Sequence, residues 1–237
     1  LQLSGGDGRR LLNLLELTID SLPEGKKEID NSLVQDTIQS KAALYDKGGE
    51  QHYDIISAFI KSIRGSDPNA AVYWLARMIE GGEEPKFIAR RMLILSSEDI
   101  GNANPNALLL ATSCFQAVQM IGWPESRIIL SQCATYLASS PKGNGSYMAI
   151  NEAQALVRET GDLPVPLHIR NAPTKLMKNL DYGKDYKYAH SYENNFVLQE
   201  FLPESLAGTM LYQPGNSPAE QKLKDFLRER WGEKYRY

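Results

Sequence analysis

Between Tyr53 and Pro105 the apolar positions fall at helical spacing in three consecutive runs, each with its own start and stop. Tyr53, Ile56, Phe59, Ile60 and Ile63 define the first, and Gly65 is expected to close it as a left-handed cap. Ser66 or Asp67 then caps a second helix, with Pro68 in its first turn, where the missing N–H costs nothing. That helix carries Ala71, Trp74, Leu75, Met78 and Ile79 and ends at Gly81-Gly82. A third starts near Pro85 and runs through Phe87, Ile88, Met92, Leu93 and Leu95, apolar on most sides, as expected of a helix in the middle of a bundle.

The pattern continues in both directions. Upstream, Leu11, Leu12, Leu14, Leu15, Leu17 and Ile19 supply a broad apolar face after a Gly-rich turn, and a short helix is expected over Leu33–Ile38, capped by Asn31 or Ser32. Residues 23–50 are otherwise polar, with Pro23, Gly25, Gly48 and Gly49 as punctuation, which places a domain boundary near residue 45. Downstream, helices are expected from Pro105 to Ile121, from Trp123 through Leu137, and over Tyr147–Val157. From Gly161 the chain turns irregular, because LPVPLHIRNAPTK holds three prolines. A short helix over Thr174–Leu180 and a final one over Ala219–Trp231 interrupt it. Short strand-like pieces stand only near Val165–Ile169 and Phe196–Leu198, so the fold class is all-α with a long irregular C-terminal third.

Composition narrows the function. No apolar run approaches the ~20 residues of a membrane span. The net charge of −3 excludes a general polyanion binder, so any nucleic-acid contact needs a local basic patch. Cys114 and Cys133 lie on apolar helix faces and read as buried free thiols; His52, His168 and His190 are too scattered for a metal site. The chain begins at Leu1 with no initiator Met, which suggests a fragment.

Three stretches carry candidate chemistry. Glu98 and Asp99 could divide acid and base work, but no nucleophile or metal-ligand cluster accompanies them; a charge network at a helix junction, with Arg90 and Arg91 as compensating cations, fits them better. SSPKGNGS, residues 139–146, resembles a phosphate cradle superficially, yet it lacks GxxxxGK[ST] and a preceding apolar strand, so it reads as a turn between helices. Residues 168–190 hold Arg170, Lys175, Lys178, Lys184 and Lys187 against only Asp181 and Asp185, interleaved with Tyr182, Tyr186 and Tyr188. Cations can track phosphates while rings stack on bases, which makes the five basic residues candidate nucleic-acid contacts. The alternative is a segment strapped over the bundle with its tyrosines packed and their hydroxyls at the surface.

Long segments resemble the C-terminal part of the replication-associated recombination protein A family of AAA+ ATPases: SGGDGRRLLN, YDIISAFIKSIRGSDPNAAVYWLARMI, ARRMLILSSEDIGNANP, YLASSPKGN, VPLHIRNAPTKLMK and YGKDYKYAH, in that order. The resemblance implies that residues 1–45 complete an AAA+ lid and that residues 46–237 form a helical oligomerisation domain similar to a clamp-loader collar. By position in GDxR, Arg9 matches the lid arginine that reaches nucleotide phosphates (sensor 2), with Arg10 as runner-up; a guanidinium suits multi-oxygen recognition. The chain has no Walker A loop and no strand ending in paired acids, so hydrolysis belongs to the parent protein, which would hold ATP and Mg, and no catalytic residue is expected here. The family further implies a homotetramer, DNA and single-strand-binding protein as the parent's partners, action in replication, recombination and repair at stalled forks, and a cytoplasmic, nucleoid-associated location with no membrane. The collar of a clamp-loader subunit and a stand-alone helical DNA-binding or scaffold module are the alternatives.

Overall fold

A computed structural model of the chain describes residues 50–237, with side chains from Tyr53 onward, and upstream of them Leu12, Leu15, Glu16, Thr18, Ile19, Leu22 and residues 29–34. Eight α-helices order the continuous part: α1 (Glu50–Arg64), α2 (Pro68–Glu80), α3 (Pro85–Leu95), α4 (Asn106–Ile121), α5 (Ser126–Ala138), α6 (Gly145–Thr160), α7 (Lys175–Asn179) and α8 (Pro218–Tyr235). No strand occurs among the described residues. The pieces expected near Val165–Ile169 and Phe196–Leu198 do not pair. Pro164 and Pro166 have no N–H to give a ladder, and Leu167–Ile169 winds instead into a 3₁₀ turn.

The chain divides into two compact units. The first runs to Leu95 and resumes over Leu109–Ser139. In it α1 buries Ile55, Ile56, Phe59 and Ile63, while Tyr53 is exposed. Asp67 caps α2, its carboxylate accepting from Asn69 N (3.0 Å) and Ala70 N (2.9 Å), with Pro68 at the first helical position. Gly65 is not the left-handed residue: Ser66 is, at φ 61. Glycine at position 65 is favoured for a different reason, since a Cβ there would make a tight contact, 3.1 Å from the Lys61 carbonyl oxygen.

Helix α5, rather than α3, is the central helix of this unit, packing against α1, α2 and α3. It buries Leu130, Cys133, Ala134, Leu137 and Ala138, and α3 buries Ile88, Ala89, Met92 and Leu95. Each large side chain fully buried here is worth roughly 1.5–3 kcal/mol. Trp123 Nε1 donates to the Glu83 carbonyl (3.3 Å), tying the turn after α4 to the turn after α2.

Upstream, Leu12, Leu15, Glu16, Thr18 and Ile19 are helical. The apolar stripe Leu12, Leu15 and Ile19 is exposed and Thr18 is buried. At the short turn of helix over residues 31–34 the cap is Asp30, one position before the expected Asn31 or Ser32: Asp30 Oδ1 accepts from Leu33 N (2.7 Å) and Ser32 Oγ (2.9 Å). The remainder of the segment expected to be helical over Leu33–Ile38 lies outside the described residues.

The second unit comprises Ser96–Leu108 and Ser140–Tyr237. A π-helical turn, Ser96–Ile100, and a 3₁₀ turn, Gly101–Ala103, form the helix junction that carries Glu98 and Asp99. The buried apolar residues here are few, chiefly Ile100, Ala103 and Ala107, and polar contacts hold much of the unit together. Gly143 N donates to Asp99 O (2.9 Å), Asn104 Nδ2 to Ser140 Oγ (3.1 Å), and Asn102 Nδ2 to Tyr212 Oη (3.0 Å). Residues 139–146 form the expected turn, joining α5 to α6.

Candidate functional site

The basic, tyrosine-containing segment lies wholly in the second unit, and the structure sorts its residues into two kinds. Arg170 is an internal staple. Its Nε donates to Val165 O (2.6 Å), its Nη1 to Tyr182 Oη (3.2 Å), and its guanidinium lies 5.0 Å over the Tyr182 ring. Gly183 N closes the same loop onto Leu167 O (2.9 Å). Both side chains are half-buried, so Arg170 and Tyr182 follow the strapped arrangement.

The four lysines differ. Thr174 Oγ1 caps α7 by accepting from Met177 N (3.2 Å), and this sets exposed Lys175 and Lys178 one turn apart on the same side of a short helix. Lys184 is paired with Asp181 at 3.1 Å, which raises its pKa, and both partners face water. Lys187 is exposed, and its backbone is latched on both sides by the Gln199 amide: Lys187 N donates to Oε1 (3.1 Å), and Nε2 donates to Lys187 O (3.4 Å). Among the described residues Lys175, Lys178 and Lys187 form no ion pair.

The rings around Lys187 are uncovered. Tyr186, Tyr188 and Tyr192 are 47%, 58% and 44% exposed. His190 is exposed too, its ring 5.2 Å from that of Tyr188 and its Nδ1 3.2 Å from Asn195 Oδ1. Reasoning from sequence counted Tyr182 with this group and missed His190 and Tyr192. The density of rings in YKYAHSY is the signal in the sequence, and the segment winds through a 3₁₀ turn at Ala189–Ser191 rather than a strand. Beside Tyr186 opens a cleft of about 470 Å³ lined by His168, Arg170, Asn171, Gly183 and Phe201.

Among the described helices, α6 and α4 expose the most large apolar side chains. Helix α6 is sixteen residues long and buries no side chain, although it carries Tyr147, Met148, Ile150 and Val157, each at least two-fifths exposed. On α4, Leu109, Met120 and Ile121 are exposed while Ala107, Ala111, Cys114 and Val118 are buried.

Arg9 and Arg10, the candidates for nucleotide contact, lie outside the described residues. Glu98 and Asp99 are half-buried in the π turn. The Lys142 ammonium has a lowered pKa because it is partly buried, an effect that nearby Asp99 opposes, and it donates to Ser140 O (2.6 Å). Cys114 and Cys133 are free buried thiols in contact with each other. The Cys114 thiol and burial together push Cys133 far above the ordinary thiol range. No group of three or more His, Cys, Asp or Glu side chains converges on a point among the described residues.

An all-helical chain with a thinly packed irregular segment and unpartnered helix faces fits the C-terminal part of an AAA+ ATPase, and comparison with known proteins bears this out. Residues 65–231 match the family described as MgsA AAA+ ATPase C terminal, and residues 1–64 match the AAA C-terminal domain. The chain belongs to the MgsA C-terminal family. It is 45% identical over 230 residues to the replication-associated recombination protein A of Coxiella burnetii, covering 96% of this chain and 52% of that protein. The protein of that name from Escherichia coli K12 is 41% identical over 230 residues, with 95% and 52% covered. The ATPase WRNIP1 of Dictyostelium discoideum is 38% identical over 232 residues, with 90% and 26% covered. The chain thus spans about half the length of the bacterial relatives named here.

Proposed function

We propose that this chain is the lid-completing and assembly region of an AAA+ ATPase that acts on DNA in replication, recombination and repair at stalled forks. The observation that carries the assembly role is α6, a sixteen-residue helix with four large apolar side chains and no buried residue. Apolar surface left in water on this scale marks an interaction face. In this reading residues 46–237 hold four copies together, fixing the ATPase modules at high local concentration.

Residues 1–45 would complete the lid, with Arg9 contacting nucleotide phosphate. ATP and Mg would be held by the parent's core, and the chain alone would not hydrolyse ATP. The exposed stripe Leu12, Leu15 and Ile19 supports a lid face that another part of the parent covers. DNA and single-strand-binding protein are the partners proposed for the parent, in the cytoplasm near the nucleoid.

Light scattering across a concentration series tests the assembly role. A tetramer that dissociates when Ile150 and Val157 are changed to glutamate is the expected result. A wild-type chain that stays monomeric at micromolar concentration would remove the assembly role from this region.

A further inference from the structure

We propose that the exposed ring track Tyr186, Tyr188, His190 and Tyr192, together with Lys175, Lys178 and Lys187, is a binding surface for single-stranded nucleic acid. This surface deepens the reading of a DNA-acting parent and rests on that reading for the choice of DNA over RNA.

The tyrosines of this one segment fall into two contrasting groups. Tyr182 shows how a structural tyrosine looks here: half-buried, its hydroxyl accepting from Arg170 and its face covered by the guanidinium. Elsewhere in the same unit, Tyr212 and Tyr237 are half-buried, with the Tyr237 hydroxyl donating to Tyr212 O (3.0 Å) and the Tyr212 hydroxyl accepting from Asn102. Tyr186, Tyr188 and Tyr192 have no such cover and leave about half their area in water. Aromatic faces kept in water at alternate positions are a cost to the isolated chain. A ligand that stacks on them recovers it.

Their backbone is also held. The two-point latch of Gln199 on Lys187 and the Gly183–Leu167 hydrogen bond fix the track at its start, so ring positions are largely set before any ligand arrives. The cations fit the same ligand. Lys187 stands between two of the rings, Lys175 and Lys178 share one side of α7, and none of the three is neutralised by an ion pair among the described residues. Lysine is depleted in protein–protein interfaces, so interleaving it with bare rings favours a polyanion over a protein partner. Rings reach base faces only where bases are unstacked, which selects single strands over duplex. The basic helix of the segment, α7, is only five residues long, too short to read a groove. The cleft beside Tyr186 would take one base against Tyr186 and Phe201, with the Asn171 amide at its edge.

Binding of labelled oligo(dT), oligo(U) and a matched duplex to the full chain, by fluorescence anisotropy over a salt series, tests this. Oligo(dT) should bind more tightly than duplex, and oligo(U) decides between DNA and RNA. Tyr186→Ala, Tyr188→Ala and Tyr192→Ala should each weaken oligo(dT) by roughly five- to a hundredfold, with unchanged thermal melting. Replacing Lys175, Lys178 and Lys187 by Gln should flatten the slope of log K against log salt by about 2, since each neutralised phosphate of a single strand adds about 0.7 to it. Tyr182→Phe should leave affinity unchanged.

Absence of oligo(dT) binding at low salt, or binding indifferent to the rings, overturns the inference. A ring variant whose only defect is a smaller oligomer, or failure to hold a protein partner, overturns it too by assigning the surface to protein. Combining Tyr186→Ala, Tyr188→Ala and Tyr192→Ala in the AAA+ parent separates the two levels. DNA binding retained there refutes this surface alone, whereas a wild-type parent that ignores DNA refutes the underlying reading.

Discussion

The carboxylate of Glu220 lies so close to Gly143 that a Cβ on that glycine would fall 2.9 Å from both of its oxygens. Glu220 is 1% exposed, at the start of α8. Its Oε1 accepts from Gly215 N (3.1 Å) and its Oε2 from the Ser217 hydroxyl (2.9 Å), while Ser217 Oγ accepts from Glu220 N (3.2 Å). This is a capping box whose glutamate reaches past the cap residue to Gly215. Gly143 also donates to Asp99 O. One buried carboxylate therefore serves the α8 cap and packs against the turn that precedes α6. Gly143→Ala and Gly215→Ala should each destabilise the chain by about 1–3 kcal/mol through forced displacement of that carboxylate. Glu220→Ala should cost a similar amount by leaving the Gly215 amide unsatisfied. Thermal denaturation of the three variants checks both expectations.

At Asp67 the carboxylate satisfies two amides at the start of α2, Asn69 N and Ala70 N. Asp67→Ala should cost about 1 kcal/mol and Asp67→Asn much less, because asparagine keeps the accepting oxygen. Urea unfolding with an unchanged m-value would show that only the cap had been removed.

Cys114 and Cys133 should be silent in the folded chain. Both are buried, 3% and 1% exposed, so a reagent reaches neither in the native fold, and the neighbouring thiol and burial also hold Cys133 as a thiol well above neutral pH. A thiol-reactive dye at pH 8 should label neither residue in native buffer and both in urea. Labelling of native protein at a rate close to that in urea would show that the α4–α5 packing opens readily.

Glu200 and Lys234 form a part-buried ion pair at 2.7 Å. Burial opposes the charge on both, yet their mutual hydrogen bond, with the Leu202 and Phe201 amides on the glutamate, outweighs it. The Glu200 pKa is lowered and the Lys234 pKa is raised. Stability from the glutamate is then present above its unfolded pKa and lost as pH falls through the lower folded value. Stability from the lysine is present below its unfolded pKa and lost as pH rises through the higher folded value. The pair should contribute about 1 kcal/mol between roughly pH 5 and pH 9. Glu200→Gln should lower the melting temperature at pH 7 and narrow the gap to wild type at pH 3.

Arg170→Lys should loosen the segment without unfolding the chain. A lysine cannot make the two directed bonds to Val165 O and Tyr182 Oη while covering the Tyr182 ring. Faster amide exchange at Gly183, with protection of α5 unchanged, is the expected signature.

Helix periodicity, the Asp67 cap with Pro68 behind it, the Thr174–Leu180 helix and the proline-broken tail were all readable from the sequence. Each depends on residues within a few positions, where backbone sterics and local hydrogen bonds decide. Periodicity names an apolar face but not whether anything covers it. That is why α6 reads as an ordinary amphipathic helix and yet has no fully buried residue, and why α5 rather than the more apolar α3 is the central helix. The same holds for the tyrosines. In sequence Tyr182, Tyr186 and Tyr188 are equivalent; in the folded chain Arg170 covers one and leaves the others bare. Which ring is covered, which lysine is spent on a carboxylate, and which glycine must stand against Glu220 are decided by groups distant in the chain. Only tertiary packing brings those groups within reach.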